Sequence, residues 1–332
     1  MTGNKPKVYV ILEGGGVKGC GLVGALEVVA EKATILGVGG SSAGAIVAAL
    51  YAAGYDCAMI KKIMFDAPLP DFRDGGSWLP DKLTLWRRGY LYEGSVFQTW
   101  IKQQLVDAPC HKDNDKSVPV EFKDLQYPLK IVAANLTDQN METFDATNNK
   151  TLRVDEAVRM SMSIPIFYKP YLWGQKVMVD GGTVSNFPLW LFKNELAREK
   201  GSSLIGIRLK QREKLLDPPS GKLSDILTRL AQTAMASQFQ IVSELMAVFQ
   251  IITVDVGDVQ TTDFDISKDK KTDLHRAGQT AAETYFLRQE NKALKAAELK
   301  GFMNNLGSLM DLKGEALEKF TKGAFEAMEG SR

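Results

Sequence analysis

Two glycine-rich turns near the N-terminus constrain this chain more than any other feature. The run Val8 to Leu12 is short, apolar and rich in β-formers, and Gly14-Gly15-Gly16 ends it, so it reads as a buried parallel strand followed by a helix through Leu22 to Val29. The pattern then repeats. Ile35 to Val38 is a second strand, Gly39-Gly40-Ser41-Ser42-Ala43-Gly44 is a tight turn, and Ala45 to Ala53 is a helix of small residues. Successive strand-loop-helix units predict an α/β fold built on a mainly parallel sheet.

Further strand patterns occur at Lys130 to Ala134, Lys176 to Val179 and Ser203 to Ile207, with helical patterns over Asp155 to Ser161 and Leu189 to Glu199. Pro68 to Asp81 and Asp107 to Pro119 carry turn chemistry and read as loops. Leu223 to Phe249 is helix-like and precedes the apolar run Ile251 to Val256. From Asn291 onward the chain is rich in Ala, Lys, Glu and Leu, which predicts a helical tail. The expected organisation is one domain over residues 1–290 and a helical tail over 291–332.

At 332 residues the chain can bury a sizeable core, and its 41 basic and 40 acidic side chains leave a formal charge of +1. Such a balance gives no global field for a nucleic acid polymer or an anionic membrane, so any membrane contact has to be local. Cys20, Cys57 and Cys110 are odd in number and scattered, which points to a reducing compartment. With no signal-peptide core at the N-terminus, the expected location is cytoplasmic.

The loop Gly14-Gly15-Gly16-Val17-Lys18-Gly19 opens a helix, where free N–H groups and the helix dipole favour negative charge. It also satisfies the dinucleotide fingerprint G-x-G-x-x-G, but the second strand ends in Gly39-Gly40-Ser41 and not in the acidic residue that would hold a ribose. A P-loop fails as well, because Gly19 follows Lys18 where a Ser or Thr is needed.

Gly40-Ser41-Ser42-Ala43-Gly44 matches G-x-S-x-G between a strand and a helix, the setting in which a strained turn exposes a serine hydroxyl. Ser42 is the candidate nucleophile; Gly40 and Gly44 keep the turn open, and Ser41 reads as a turn or N-cap residue. Its base is less clear from the residues alone. His111 lies in a charged loop pattern, and His275 lies beside a charged helix start and leaves a Ser-carboxylate-His triad open. Asp180, followed by Gly181 and Gly182, ends the strand Lys176 to Val179. In a parallel sheet it would share an edge with Ser42 and the glycine loop.

Taken together, Gly14 to Gly19, Gly40 to Gly44 and Asp180-Gly181-Gly182 resemble the patatin-like phospholipases. Ser161-Met162-Ser163-Ile164-Pro165 and Asn186-Phe187-Pro188 agree, and Asp263 to Ser267 looks like that family's closing strand. The resemblance, from about Lys7 to about Phe286, implies a three-layer α/β sandwich, to which the helical tail read from composition is added as a C-terminal extension. It implies a Ser-Asp dyad in which Ser42 forms an acyl-enzyme and Asp180 takes and returns its proton. The amides of the Gly14, Gly15, Gly16, Lys18 and Gly19 loop would then form the oxyanion hole. No metal or cofactor is implied, and Asp263 and Asp265 lack the glycine and glutamate of a calcium loop. Two departures are Met160, where the family usually has Ala, and the tail after Asn291.

The implied substrate is a phospholipid or related lipid ester. Trp78-Leu79, Leu83 to Leu91 and Phe167 to Trp173, with Arg87, Arg88 and Lys169, are candidates for the acyl pocket or for peripheral membrane contact. The resemblance also leaves room for an activating nucleotide or protein partner and for a homo-oligomer. The rival from another class is a nucleotide-binding regulatory module whose catalytic residues are vestigial.

Overall fold

The computed structural model describes residues 5–75, 88–112, 115–212, 226, 229–230, 233 and 250–309. The chain divides into two compact units, Met1–Ala282 and Glu283–Arg332, and every candidate catalytic residue belongs to the first.

The first unit follows the predicted alternation. β1 (Lys7–Leu12) leads through the glycine loop and a 3-10 turn into α1 (Gly19–Lys32), and β2 (Thr34–Ser41) leads into α2 (Ala43–Ala52). Then come α3 (Cys57–Asp66), α4 (Ser95–Val106), β3 (Leu129–Asn135), β4 (Asn140–Phe144) and α5 (Val154–Ser161). β5 (Tyr171–Trp173) and β6 (Lys176–Asp180) form a hairpin, followed by α6 (Gly182–Ser185), α7 (Lys193–Arg198), β7 (Ser202–Lys210), β8 (Gln250–Asp255) and α8 (Lys268–Leu309).

The strands make one mixed sheet in the order β5-β6-β3-β2-β1-β7-β8, with β4 also on β3. β3, β2, β1, β7 and β8 run parallel. The β3–β4, β3–β6 and β5–β6 pairs are antiparallel.

Helices flank the sheet, and β1 shows why its pattern is continuously apolar: it is covered on both faces. Tyr9 and Ile11 pack with Phe187, Leu189, Leu191 and Phe192 on one side. α2 packs on β1 and β2, where Gly40 and Gly44 meet back to back. This is the three-layer α/β arrangement that the motifs imply, with a C-terminal helix.

Two expectations need correction here. Leu189 to Glu199 is helical over Lys193–Arg198 alone, because Phe187 to Phe192 lies flat on the sheet as successive turns after Pro188. Asp263 to Ser267 is a turn and not a closing strand: Phe264 is buried and stacks on Phe167, and Asp265 forms a paired contact with Arg73 at 2.8 and 2.6 Å. The apolar run Ile251 to Val256 supplies the parallel edge strand instead. The helical pattern over Leu223 to Phe249 lies almost wholly outside the described residues, as do Trp78-Leu79 and Leu83 to Arg87. No helix among the described residues is long and apolar enough to cross a membrane.

Candidate active site

Ser42 sits at the junction of β2 and α2 with φ 52° and ψ −123°, a conformation unfavourable for a residue with a Cβ. Close packing holds it there. A Cβ on Gly40 would lie 2.6 Å from the Leu12 carbonyl oxygen and 2.7 Å from the Gly44 carbonyl carbon, and one on Gly44 would run into the same Leu12 carbonyl. The Ser42 amide donates to Ser161 Oγ at 2.9 Å, and Ser161 Oγ donates to the Val132 carbonyl at 2.6 Å. The elbow is therefore tied to α5 and β3. The Ser42 hydroxyl donates to Met162 Sδ at 3.4 Å, a weak acceptor that leaves it easily redirected.

Asp180 reaches this point by a route the sequence reading misjudged. β6 is antiparallel to its neighbour, so Asp180 does not share the C-terminal edge of a parallel set. The register explains its position. β2 pairs with β3 up to Ser41 opposite Val132, β4 occupies the other edge of β3 from Ile131 to Asn135, and β6 therefore joins the β2 edge at Ala133. Two strands of opposite direction meet end to end there, and Gly181 fits the gap: a Cβ on it would strike the Val132 carbonyl and lie 2.6 Å from Ser41 Oγ.

One Asp180 oxygen accepts the Gly182 amide at 2.6 Å, and the Asp180 amide donates to the Ser163 carbonyl at 2.9 Å. Its other oxygen, Oδ2, is buried with no hydrogen-bond partner among the described residues. Burial pushes the carboxyl up to about 7, against the lowering effects of the nearby Ser42 hydroxyl and the Gly182 amide. An acid so placed changes protonation near neutral pH, as a general base must.

The glycine loop closes the third side. A Cβ on Gly14 would meet Asn186 Oδ1 and lie 3.1 Å from Ser42 Cβ, and Gly16 has φ +57° with its α-carbon against the Thr261 carbonyl. Its amides divide into two groups. Those of Gly14, Lys18 and Gly19 donate to Asn186, Gly15 and Gly16 carbonyls, and that of Val17 to Thr261. Those of Gly15 and Gly16, at the mouth of α1, have no acceptor among the described residues, and neither has that of Ala43, the first residue of α2. Helix N-termini with open donors suit a developing negative charge.

Ser42 and Asp180 are almost wholly buried. Beside them lies a cavity of about 30 Å³, lined mainly by apolar side chains including Ile46, Phe72, Phe97, Trp100 and Phe264. Met162 and Gly16 join it to the elbow and the glycine loop. Within the candidate stretch Phe167 to Trp173, Tyr168 is buried and the half-buried Phe167 packs on it and on Phe264, whereas Leu172 is 68% exposed.

The histidines lie elsewhere. His275 is buried against Glu27, 3.1 Å away, and the Phe65 ring, while His111 Nε2 lies 3.0 Å from the Val118 carbonyl oxygen. Neither is brought to Ser42. Met162 and Glu13, by contrast, are neighbours of the site that sequence reasoning missed. Met162 was visible only as part of a motif, and Glu13 only as the residue that ends the first strand.

A family model described as patatin-like phospholipase matches residues 10–193. The uncharacterized protein YqhO of Bacillus subtilis is 33% identical over 307 residues, covering 84% of this chain and 97% of the relative. A probable lipid hydrolase, 463L, of Invertebrate iridescent virus 6 is 24% identical over 217 residues, covering 61% of this chain and 71% of the relative. Among solved structures, VipD from Legionella pneumophila superposes with a TM-score of 0.52 at 15% identity, over 84% of this chain and 66% of VipD. The type III effector ExoU gives 0.50 at 16% identity, over 98% of this chain and 63% of ExoU. This chain thus spans about two thirds of the length of each, and at those identities the likeness concerns the fold.

Proposed function

The chain belongs to the patatin-like phospholipase family, a family of lipid hydrolases, and from that premise we propose that it cleaves phospholipid or related acyl esters with a Ser42–Asp180 dyad. The observation that carries this reading is the buried Asp180 Oδ2, without a hydrogen-bond partner among the described residues, beside a serine held in a left-handed elbow.

The chemistry follows from the arrangement. Asp180 takes the hydroxyl proton as Ser42 Oγ attacks the ester carbonyl carbon. The amides of Gly15 and Gly16 receive the oxyanion at the N-terminus of α1. Collapse of the tetrahedral adduct breaks the bond to the alcohol, which leaves with the proton held by Asp180 and keeps the acyl group on Ser42. Water then loses a proton to Asp180 as it attacks the acyl-enzyme, and collapse of this adduct releases the fatty acid while Asp180 passes the proton to Ser42 Oγ, which returns both side chains to their starting state.

Phospholipase A specificity, a cytoplasmic location and peripheral membrane contact belong to the same proposal. Because both reactive groups are buried, an opening step precedes turnover, triggered by a lipid surface, a nucleotide or a protein partner.

Fatty-acid release from phospholipid vesicles and from a soluble medium-chain ester tests the reading. Activity that is lost in Ser42→Ala and Asp180→Asn but kept in His275→Ala supports the dyad. Equal loss in His275→Ala would replace it with a triad.

A further inference from the structure

Glu13 is the last residue before the glycine loop, and its side chain is buried. Among the described residues, the polar groups that act on it are donors or cations. The Leu209 amide, near the end of β7, donates to Oε2 at 2.6 Å, and Asn186 Nδ2 approaches Oε1 at 3.4 Å. The cations of Arg208 on β7 and Lys18 in the loop act on it through space. Lys18 is itself buried. Asn186 also grips Gly14 from both sides, accepting its amide at 3.0 Å and offering Nδ2 to its carbonyl at 3.4 Å. One carboxylate thus links β7, the segment after α6 and the glycine loop.

We propose that ionised Glu13 is a positioning residue, holding the glycine loop so that the Gly15 and Gly16 amides meet the oxyanion. This rests on the reading of Ser42 as nucleophile. A protonated Glu13 would turn an O–H toward donors and cations and loosen those ties. Burial opposes ionisation and pushes its carboxyl up to about 7, against the pull of Leu209, Arg208, Lys18 and Asn186. Glu13 and Asp180 therefore lose protons over the same range. Below about pH 6, log(kcat/KM) should rise with a slope approaching about two, where the dyad alone gives about one.

The test is kcat and KM from about pH 5 to about pH 9 for the parent chain, Glu13→Gln, Glu13→Asp and Ser42→Ala, each checked for folding by circular dichroism. The expected result for Glu13→Gln is a slope of about one, with kcat lowered about 100- to 1000-fold and KM within about twofold. Glu13→Asp keeps the charge and should keep the steeper slope at reduced kcat. A parent slope of about one, or a Glu13→Gln slope still near two, overturns the proposal while leaving the dyad standing. The parent slope and Glu13→Asp decide the matter if Glu13→Gln does not fold. Activity retained in Ser42→Ala would instead overturn the nucleophile assignment.

Discussion

Asp180 and Ser41 occupy neighbouring positions on one edge of β3, although the strands that carry them run in opposite directions: Ser41 pairs with Val132 and Asp180 with Ala133. The separation of Ser42 from Asp180 is therefore fixed by backbone hydrogen bonds and not by loops. Gly181 lies where the strand ends meet, against the Val132 carbonyl and Ser41 Oγ. Gly181→Ala should destabilise the fold by about 1–3 kcal/mol in urea titration and should lower kcat more than it raises KM, because it drives the two ends apart.

Ser161 holds the elbow from the other side. Ser161→Ala leaves the buried Ser42 amide and Val132 carbonyl without the partners they have at 2.9 and 2.6 Å. The expected cost is about 1–3 kcal/mol of stability together with reduced kcat, seen by thermal unfolding and steady-state assay. A variant with parental stability and kcat would show that the elbow holds itself.

Asp180 gives stability a definite pH dependence. Its folded-state pKa is raised to about 7, so the native state binds its proton more tightly than the unfolded chain does. Its contribution is fully present below the ordinary carboxylate range and is lost as pH rises through about 7. In the proposed mechanism activity needs the ionised form and runs the other way. Asp180→Asn should therefore stabilise the protein at about pH 8 by roughly 2–4 kcal/mol and change little at about pH 4, measured by chemical denaturation. Equal effects at both pH values would count against a carboxyl buried in its neutral form.

The cavity beside Met162 is narrow in this form, with about 30 Å³ of space, room for little more than a water molecule. Trp100 forms part of its wall, half-buried between Phe72 and Phe97 at ring separations of 5.3 and 6.0 Å. Trp100→Ala should shift the preference toward longer or bulkier acyl chains by about tenfold in the ratio of kcat/KM values. An unchanged ratio across a series of soluble esters would place the acyl chain elsewhere.

The first two strand-loop-helix units were legible because each glycine cluster interrupts an apolar run at a point where the backbones of Leu12, Gly40 and Gly44 nearly touch. Strands β4 and β5 escaped notice because Asn140 to Phe144 is polar and Tyr171 to Trp173 is too short to show a period. The turn at Asp263 to Ser267 misled because its alternation of Asp with Phe264 and Ile266 mimics a strand, whereas the paired Arg73–Asp265 contact holds it as a surface turn. Asp180 was found for an incomplete reason. Its strand pattern was visible, but strand direction depends on pairings distant in sequence, and those made β6 antiparallel. Glu13 was silent because nothing in a sequence reveals that Leu209, Arg208 and Lys18 converge on one carboxylate.

The most direct test of the central claim is covalent trapping: incubate the folded chain with an acyl-mimicking fluorophosphonate and locate the adduct by peptide mass spectrometry. The account predicts one adduct, on Ser42, formed faster as pH rises through about 7 and slowed by at least about 100-fold in Asp180→Asn. An adduct on Ser41 or Ser161, or hydrolysis that continues with Ser42 unmodified, would contradict it.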